Sequence, residues 1–308
     1  MFLHRRLYTD TDLSLLQATL AEWIAAVGAC GYGHIGDIPH RIYEVLPAHR
    51  APELVQLWEH ADRLLGFAIC GLFGASFSMA AAPDLRGSDR ELAMLQAACT
   101  ITRRHMAADN PDEHRVNCDV YDCDSIRIAQ LNRLGFCEYR IWDRIVVRDL
   151  PTALPPTRLP PGFRIRRATP DDCAGLADAR NAVFDGNWTP ESYRDAVMQK
   201  PGYDPAHEQL IVAPDGRIAA FAVLRLDSLN RVGQFEPVGT HPDFQRRGLA
   251  RALLQHGLIV MQQHGMRSAF ISYNAENQAA HQLYQRLGFE PRYTTLGFHE
   301  CLPLGAEA

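Results

Sequence analysis

The chain repeats itself. Leu134-Gly135-Phe136 and Leu287-Gly288-Phe289 stand 153 residues apart, and each follows a short amphipathic helical pattern. Pro83-Asp84-Leu85 aligns without gaps with Pro242-Asp243-Phe244, and the match runs on to Met94-Leu95-Gln96 against Leu253-Leu254-Gln255. Gly66-Phe67-Ala68 falls opposite Ala220-Phe221-Ala222, and Thr9-Asp10-Thr11-Asp12-Leu13 opposite Thr169-Pro170-Asp171-Asp172-Cys173. The offsets differ by a few residues, as loop insertions produce. The 308 residues therefore read as two copies of one plan, each of ordinary domain size. Between them, Leu150 to Gly162 is rich in proline and nearly free of charge, the composition of a stiff, extended linker. The expected division is 1–150, a linker 151–162, and 163–308.

The second half gives the clearer element pattern. Phe163 to Arg167 alternates as a strand does, and Pro170-Asp171-Asp172 opens a helix running to about Phe184. Asp185-Gly186-Asn187 breaks that helix. Thr189 as N-cap with Pro190 at the first helical position starts another. Gln209 to Ala213 and Arg217 to Leu226 flank the turn Asp215-Gly216 as a hairpin. A strand over Val232 to Thr240 leads to a helix whose stripe is Ala250, Leu253, Leu254, Gly257, Leu258 and Met261. Ser268 to Tyr273 reads as a strand and Glu276 to Leu287 as a helix. The tail to Leu302 reads as a final hairpin. The first half follows this order less clearly, because Gly31 to Pro52 is irregular.

The loop before the striped helix carries the chemistry. Gln245-Arg246-Arg247-Gly248-Leu249-Ala250-Arg251 ends in small residues at a helix start. Free N–H groups point out of a first helical turn, and the helix dipole favours negative charge there. Gly248 and Ala250 leave room for phosphate groups, and Arg246, Arg247 and Arg251 add positive charge. Upstream, Pro237 cannot donate to a ladder, so it marks an edge or a bulge. A bulge splays the sheet and frees backbone groups that an extended, amide-bearing ligand can pair with, here at Val238, Gly239 and Thr240.

These residues resemble the GNAT superfamily of acetyl-CoA-dependent N-acetyltransferases. Gln245 to Ala250 resembles its Q/R-x-x-G-x-G/A loop. Phe235-Glu236-Pro237-Val238-Gly239-Thr240-His241-Pro242 looks like its fourth strand and exit. Asn277-Gln278-Ala279-Ala280-His281-Gln282-Leu283-Tyr284 with Leu287-Gly288-Phe289 looks like its N-x-x-A-x-x-L-Y…GF helix. The resemblance covers about residues 163 to 303. It implies an α/β (α+β) fold of two tandem GNAT-like domains, each a mixed, mostly antiparallel twisted sheet flanked by helices. The tandem arrangement is similar to that of the mycothiol synthase family, a likeness limited to the second half and the linker, so no acceptor is carried over from it.

The implied activity is direct transfer of an acetyl group from acetyl-CoA to a primary amine of a small molecule, without a metal. Glu236 is the implied base that relieves the amine of its proton; the alternatives are a strand carboxylate paired with an arginine, or one that only orients the acceptor. Tyr284 is the implied proton donor to the leaving sulfur, with a packed core tyrosine as its alternative. Asn277 either holds the cofactor or caps its helix. Asp185 and Trp188 either hold the acceptor or form a folded-back loop. The first copy has lost this chemistry position by position: Asp89 stands for Gly248, Glu91 for Ala250, Phe77 for Glu236 and Leu131 for Tyr284. It reads as a degenerate copy.

Composition removes other classes. The net charge of −5 and scattered arginines give no basic stripe for nucleic acid. No stretch suits a membrane span and no signal-peptide pattern opens the chain, so the expected location is the cytoplasm. The eight cysteines form no CxxC pair and read as reduced thiols. Oligomeric state is not legible. Two other readings stay open: a non-catalytic acyl-CoA-binding sensor or scaffold, and an acyltransferase using a longer acyl chain.

Overall fold

The computed structural model describes residues 4–46, 50–109, 114–151 and 153–301. The chain divides into two compact units, one of residues 1–34, 38–144 and 293–308, the other of residues 35–37 and 145–292. In chain order the first half holds β1 (His4–Leu7), α1 (Leu13–Val27), α2 (Asp37–His40), α3 (Ala51–Leu54), β2 (Val55–His60), β3 (Arg63–Leu72), β4 (Ser76–Ala81), α4 (Asp89–Asp109), β5 (Asn117–Tyr121), α5 (Ser125–Arg133) and β6 (Phe136–Asp149). The second holds β7 (Arg164–Arg167), α6 (Cys173–Phe184), α7 (Pro190–Tyr193), β8 (Glu208–Val212), β9 (Ile218–Asp227), β10 (Val232–Thr240), α8 (Leu249–Gln263), β11 (Ser268–Asn274), α9 (Gln278–Arg286) and β12 (Glu290–Glu300).

Each unit is a mixed, mostly antiparallel sheet flanked by helices. In the first, β1-β2-β3-β4-β5 are neighbours in that order, and β4 and β5 run parallel. In the second the order is β11-β10-β9-β8-β7, with β10 and β11 parallel. The repeat extends to atomic detail. Thr9 and Thr169 open short 3-10 turns with φ, ψ of −130°, 157° and −130°, 162°. The N–H groups of Thr9 and Thr169 donate to Asp12 and Asp172 at 2.8 and 2.7 Å. Arg6 forks onto Asp12 at 2.8 and 2.7 Å, and Arg166 onto Asp172 at 2.6 Å through each nitrogen. The Arg6 hydrogen bonds hold the Asp12 carboxyl below its usual range. Burial opposes the same effect at Asp172, but the hydrogen bonds from Arg166 and Thr169 prevail. The unfolded chain therefore takes up these protons first as pH falls, and the stability the pairs supply is lost on the acid side. The destabilisation caused by Asp172→Asn is expected to shrink as urea titrations move from pH 7 to below about 4. A difference constant across that range contradicts the pairing.

Three expectations change. The tail is one strand, β12, whose outer part pairs antiparallel with β5 from His299↔Asn117 to Thr295↔Tyr121; Leu302 lies outside the described residues. No turn residue divides it. Gly297 lies within the strand, where a Cβ would meet the Trp142 ring at 2.6 Å. Residues from 293 onward therefore count with the first unit rather than with 163–308, and the proline-rich strip 151–162 counts with the second. Leu150, Leu154 and Leu159 pack onto the second unit's core, and Gln255 Nε2 donates to the Pro155 carbonyl at 3.0 Å. The cysteines also differ from the expected free thiols. Cys30 pairs with Cys123 and Cys137 with Cys301 as disulfides, while Cys70, Cys99, Cys118 and Cys173 are not disulfide-bonded.

The second unit's core lies on both sides of its sheet, as the period of two dictates. Ala220, Ala222 and Leu224 of β9 face α8, and Phe221 faces the α6–α7 side. Gly257 brings α8 close to β10, since a Cβ there would sit 2.4 Å from the Phe235 ring. This contact seats the middle of α8 closely on β10.

Candidate active site

The end of β10 is irregular where Pro237 sits. Its ladder with β9 runs in register to Phe235 and resumes at Val238, so Glu236 and Pro237 form the bulge. The ladder with β11 covers only Val232 to Gln234. Beyond it the edge of Val238, Gly239 and Thr240 has β9 on one side alone. Thr240 Oγ1 is enclosed there without a hydrogen-bond partner among the described residues. Gly239 has a packing reason as well: a Cβ would meet the Phe221 ring at 2.4 Å.

The loop that follows is held by its own contacts. Phe244 is buried as an anchor, Gln245 Nε2 donates to the Thr240 carbonyl at 3.3 Å, and Arg247 donates to the Asp243 carbonyl at 3.3 Å. Arg246 and Gly248 both take positive φ, 59° and 78°. Gly248 is the N-cap of α8 and brings no side-chain acceptor, so the first-turn N–H groups keep their donor capacity. A Cβ at Gly248 would meet nothing within 4 Å, so the space in front of the turn is open. Arg246, Arg247 and Arg251 are all exposed, and none forms an ion pair among the described residues. The alternating left-handed residues, free donors, open space and unneutralised guanidiniums fit a diphosphate.

Glu236 and Tyr284 come together electrostatically. Tyr284, on α9, is 8% exposed and packs against the Tyr273 and Phe289 rings at 5.3 and 6.0 Å. Burial raises its hydroxyl above the usual phenol range, and the negative charge of Glu236 raises it further. It is thus a protonated group at neutral pH, able to donate, and its hydroxyl has no hydrogen-bond partner among the described residues. Glu236 is half-buried on the bulge. Sequence reasoning missed two neighbours. Tyr273 of β11 hydrogen-bonds His281 Nδ1 at 2.7 Å, and His281 precedes Tyr284 by three residues on one helix face. The alternation over Ser268–Asn274 and that spacing were the available signals.

The other candidates take structural roles. Asn277 caps α9, its Oδ1 accepting from the Ala280 N–H at 3.0 Å. Asp185 is a left-handed residue ending α6. Trp188 belongs to the folded-back loop, where Asn181 exchanges two hydrogen bonds of 2.8 Å with its backbone and its ring stacks edge-on against Tyr193. Neither is aimed at Glu236 by any contact among the described residues.

The first unit shows what became of the same loop. Gly87 has φ 79°, and Ser88 then caps α4, accepting from the Glu91 N–H at 3.3 Å. Glu91 is fully buried, its carboxylate accepting from the Gly87 N–H at 2.5 Å and from Arg127 at 2.8 Å, with Arg86 at 3.3 Å. A side-chain carboxylate fills the anion position. Asp89, by contrast, faces solvent beside Arg133. Phe77 and Leu131 are core residues, at 2% and 0% exposure. Among the described residues no group of three or more metal-ligating side chains exists, and no helix is long and apolar enough to cross a membrane.

The chain is similar to known proteins in sequence and in fold. A model of the acetyltransferase (GNAT) family matches residues 174–289. Mycothiol acetyltransferase of Streptomyces coelicolor is 33% identical over 150 residues, covering 46% of this chain and 48% of that protein. The enzyme of the same name from Nocardia farcinica is 33% identical over 180 residues, 54% of this chain and 58% of that one. The match thus spans about half the length of these curated relatives. In fold, the chain is similar to a GCN5-related N-acetyltransferase from Sphaerobacter thermophilus, at TM-score 0.62, 20% identity and 96% and 95% coverage. It is also similar to a tandem GNAT protein from the clavulanic acid biosynthesis pathway, at TM-score 0.63, 13% identity and 97% and 98% coverage.

Proposed function

We propose that this chain, which belongs to the GNAT acetyltransferase family, transfers an acetyl group from acetyl-CoA to a primary amine of a small molecule. The open, positively charged turn at Gln245–Arg251 carries the reading; Glu236, on the strand that leads into the turn, and Tyr284, whose hydroxyl feels the Glu236 charge, support it. Acetyl-CoA supplies an activated acyl group; the residues present do the rest. The N–H groups of the α8 first turn, with Arg246 and Arg247, bind the diphosphate, and Arg251 adds positive charge beside it. Thr240 and the unladdered edge of β10 hold the extended arm. Glu236, directly or through one water, takes a proton from the amine, which is mostly protonated in solution. A backbone N–H near Val238 polarises the acyl carbonyl. Tyr284 gives its proton to the departing sulfur. Much of the rate comes from holding amine and acyl group together.

The acceptor amine is left at the level of its class. The relatives' shared name, mycothiol acetyltransferase, points to a small thiol-bearing acceptor, and a panel of small primary amines that includes amino-thiols is the first to try. We place the reaction in the cytoplasm. Both cysteine pairs belong to the first unit, whereas Glu236, Gln245–Arg251 and Tyr284 belong to the second.

Two substitutions separate the roles. Glu236→Gln is expected to lower kcat about a hundredfold at neutral pH with the KM for acetyl-CoA unchanged, and Tyr284→Phe to lower kcat about tenfold or more. Thiol release from acetyl-CoA measures both. Full activity in Glu236→Gln contradicts its role as base. Cofactor binding without turnover on any amine favours the sensor reading.

A further inference from the structure

We infer that the proline-rich strip is part of the cofactor site and that Arg158, with Arg251, binds the ribose 3′-phosphate of coenzyme A. The inference rests on the reading of Gln245–Arg251 as the diphosphate site. The strip lies along α8 and is fixed there by Gln255 at Pro155 and by Gln262, which donates to the Pro151 carbonyl. Between strip and helix is a cavity of about 510 Å³, lined on one side by Pro155, Arg158 and Leu159 and on the other by Arg247, Arg251 and Gln255. It opens beside Gly248, the cap of the diphosphate turn.

Three guanidiniums line this cavity, and no carboxylate does. Arg158 and Arg251 make no hydrogen bond or ion pair among the described residues, while Arg247 is already turned to the Asp243 carbonyl. Thr157, next to Arg158, has its Oγ1 enclosed without a partner. Arg158 is exposed, so its guanidinium is accessible to a ligand, and it lines the same cavity as Arg251 on the flank of α8. Charge of this density, with planar forks for bidentate contacts, suits a phosphomonoester dianion. A diphosphate accounts for the turn itself and leaves Arg158 and Arg251 unused. Coenzyme A carries one further phosphate within a nucleotide's length of its diphosphate.

Calorimetric titration of the full chain with coenzyme A and with 3′-dephospho-coenzyme A tests this. The wild-type chain is expected to bind coenzyme A at least about tenfold more tightly, and Arg158→Ala is expected to bring that ratio close to one without weakening the dephospho form. Arg158→Lys, which keeps the charge, should restore part of the ratio. Inorganic phosphate at millimolar concentration should compete with coenzyme A more than with the dephospho form. A wild-type ratio near one, or an unchanged ratio in Arg158→Ala, overturns the inference while leaving the diphosphate site intact. Absence of binding by both ligands instead defeats the functional reading, and this inference with it.

Discussion

Gly248→Asp is expected to abolish coenzyme A binding, with affinity falling by at least about a hundredfold, while the chain stays folded. The carboxylate would enter the open space before the α8 turn, where a Cβ meets nothing within 4 Å, so no packing is lost. The left-handed conformation at φ 78° costs an aspartate about 1 kcal/mol, since Asp tolerates this region better than most residues. The electrostatic effect is larger. A fixed negative charge would face a diphosphate a few ångströms away and would also accept from the N–H groups the ligand needs. A thermal-shift titration measures it. At a ligand concentration a hundred times Kd, the wild-type chain gains about 2.7 kcal/mol, and Gly248→Asp should gain almost nothing. Arg247→Glu should act in the same direction. A full shift in Gly248→Asp removes the diphosphate from this turn.

The second large effect lies in the first unit. Glu91→Ala is expected to cost about 3–5 kcal/mol, because it strips the counter-charge from two buried guanidiniums. Arg86 and Arg127 side chains are 9% and 5% exposed, and both address the Glu91 carboxylate. Asp124 retains one ion pair with Arg86, so Arg127 loses most. Urea unfolding followed by tryptophan fluorescence reports mainly on this unit, which contains Trp23, Trp58 and Trp142. Coenzyme A affinity should be unaffected, since the loop at Gly248 is in the other unit. A loss below about 1 kcal/mol contradicts the view that Glu91 permanently occupies its anion position.

The two loops make one physical contrast. Both descend from a Pro-Asp-aromatic or aliphatic turn, both include a left-handed residue, and both open a helix. Ser88-x-x-Glu91 is a capping-box signature, and it satisfies the helix start internally. Gly248-Leu249-Ala250 brings no acceptor and leaves the donors for a ligand.

Sequence reasoning located β10 with the bounds the structure gives, because Val232–Thr240 alternates and runs into a proline-containing turn. It also placed the α8 stripe and the hairpin around Asp215-Gly216, whose signals are local. The depletion of the first copy was legible too, but its mechanism was not. The Ser-x-x-Glu spacing was visible, whereas the meaning of Glu91 depends on Arg127, which only folding brings near. The same limit applies elsewhere. The pairing of β12 with β5 and the partners of Cys30 and Cys137 join segments far apart in the chain, and no local pattern encodes them. The strip at 151–162 was read from composition as a spacer; its docking rests on Gln255 and Gln262, polar residues in a helix whose role appears only once an acceptor lies beside them. At the candidate site, Glu236 followed from a motif. Tyr273 and His281 were passed over because their hydrogen bond links a strand to a helix.

The most direct measurement is the crystal structure of the full chain soaked with acetyl-CoA at millimolar concentration. One molecule is expected per chain, its diphosphate on the N–H groups around Gly248 to Ala250 and none at Gly87 to Glu91. A ligand in the first unit alone, or an empty Gln245–Arg251 turn at that concentration, contradicts the account.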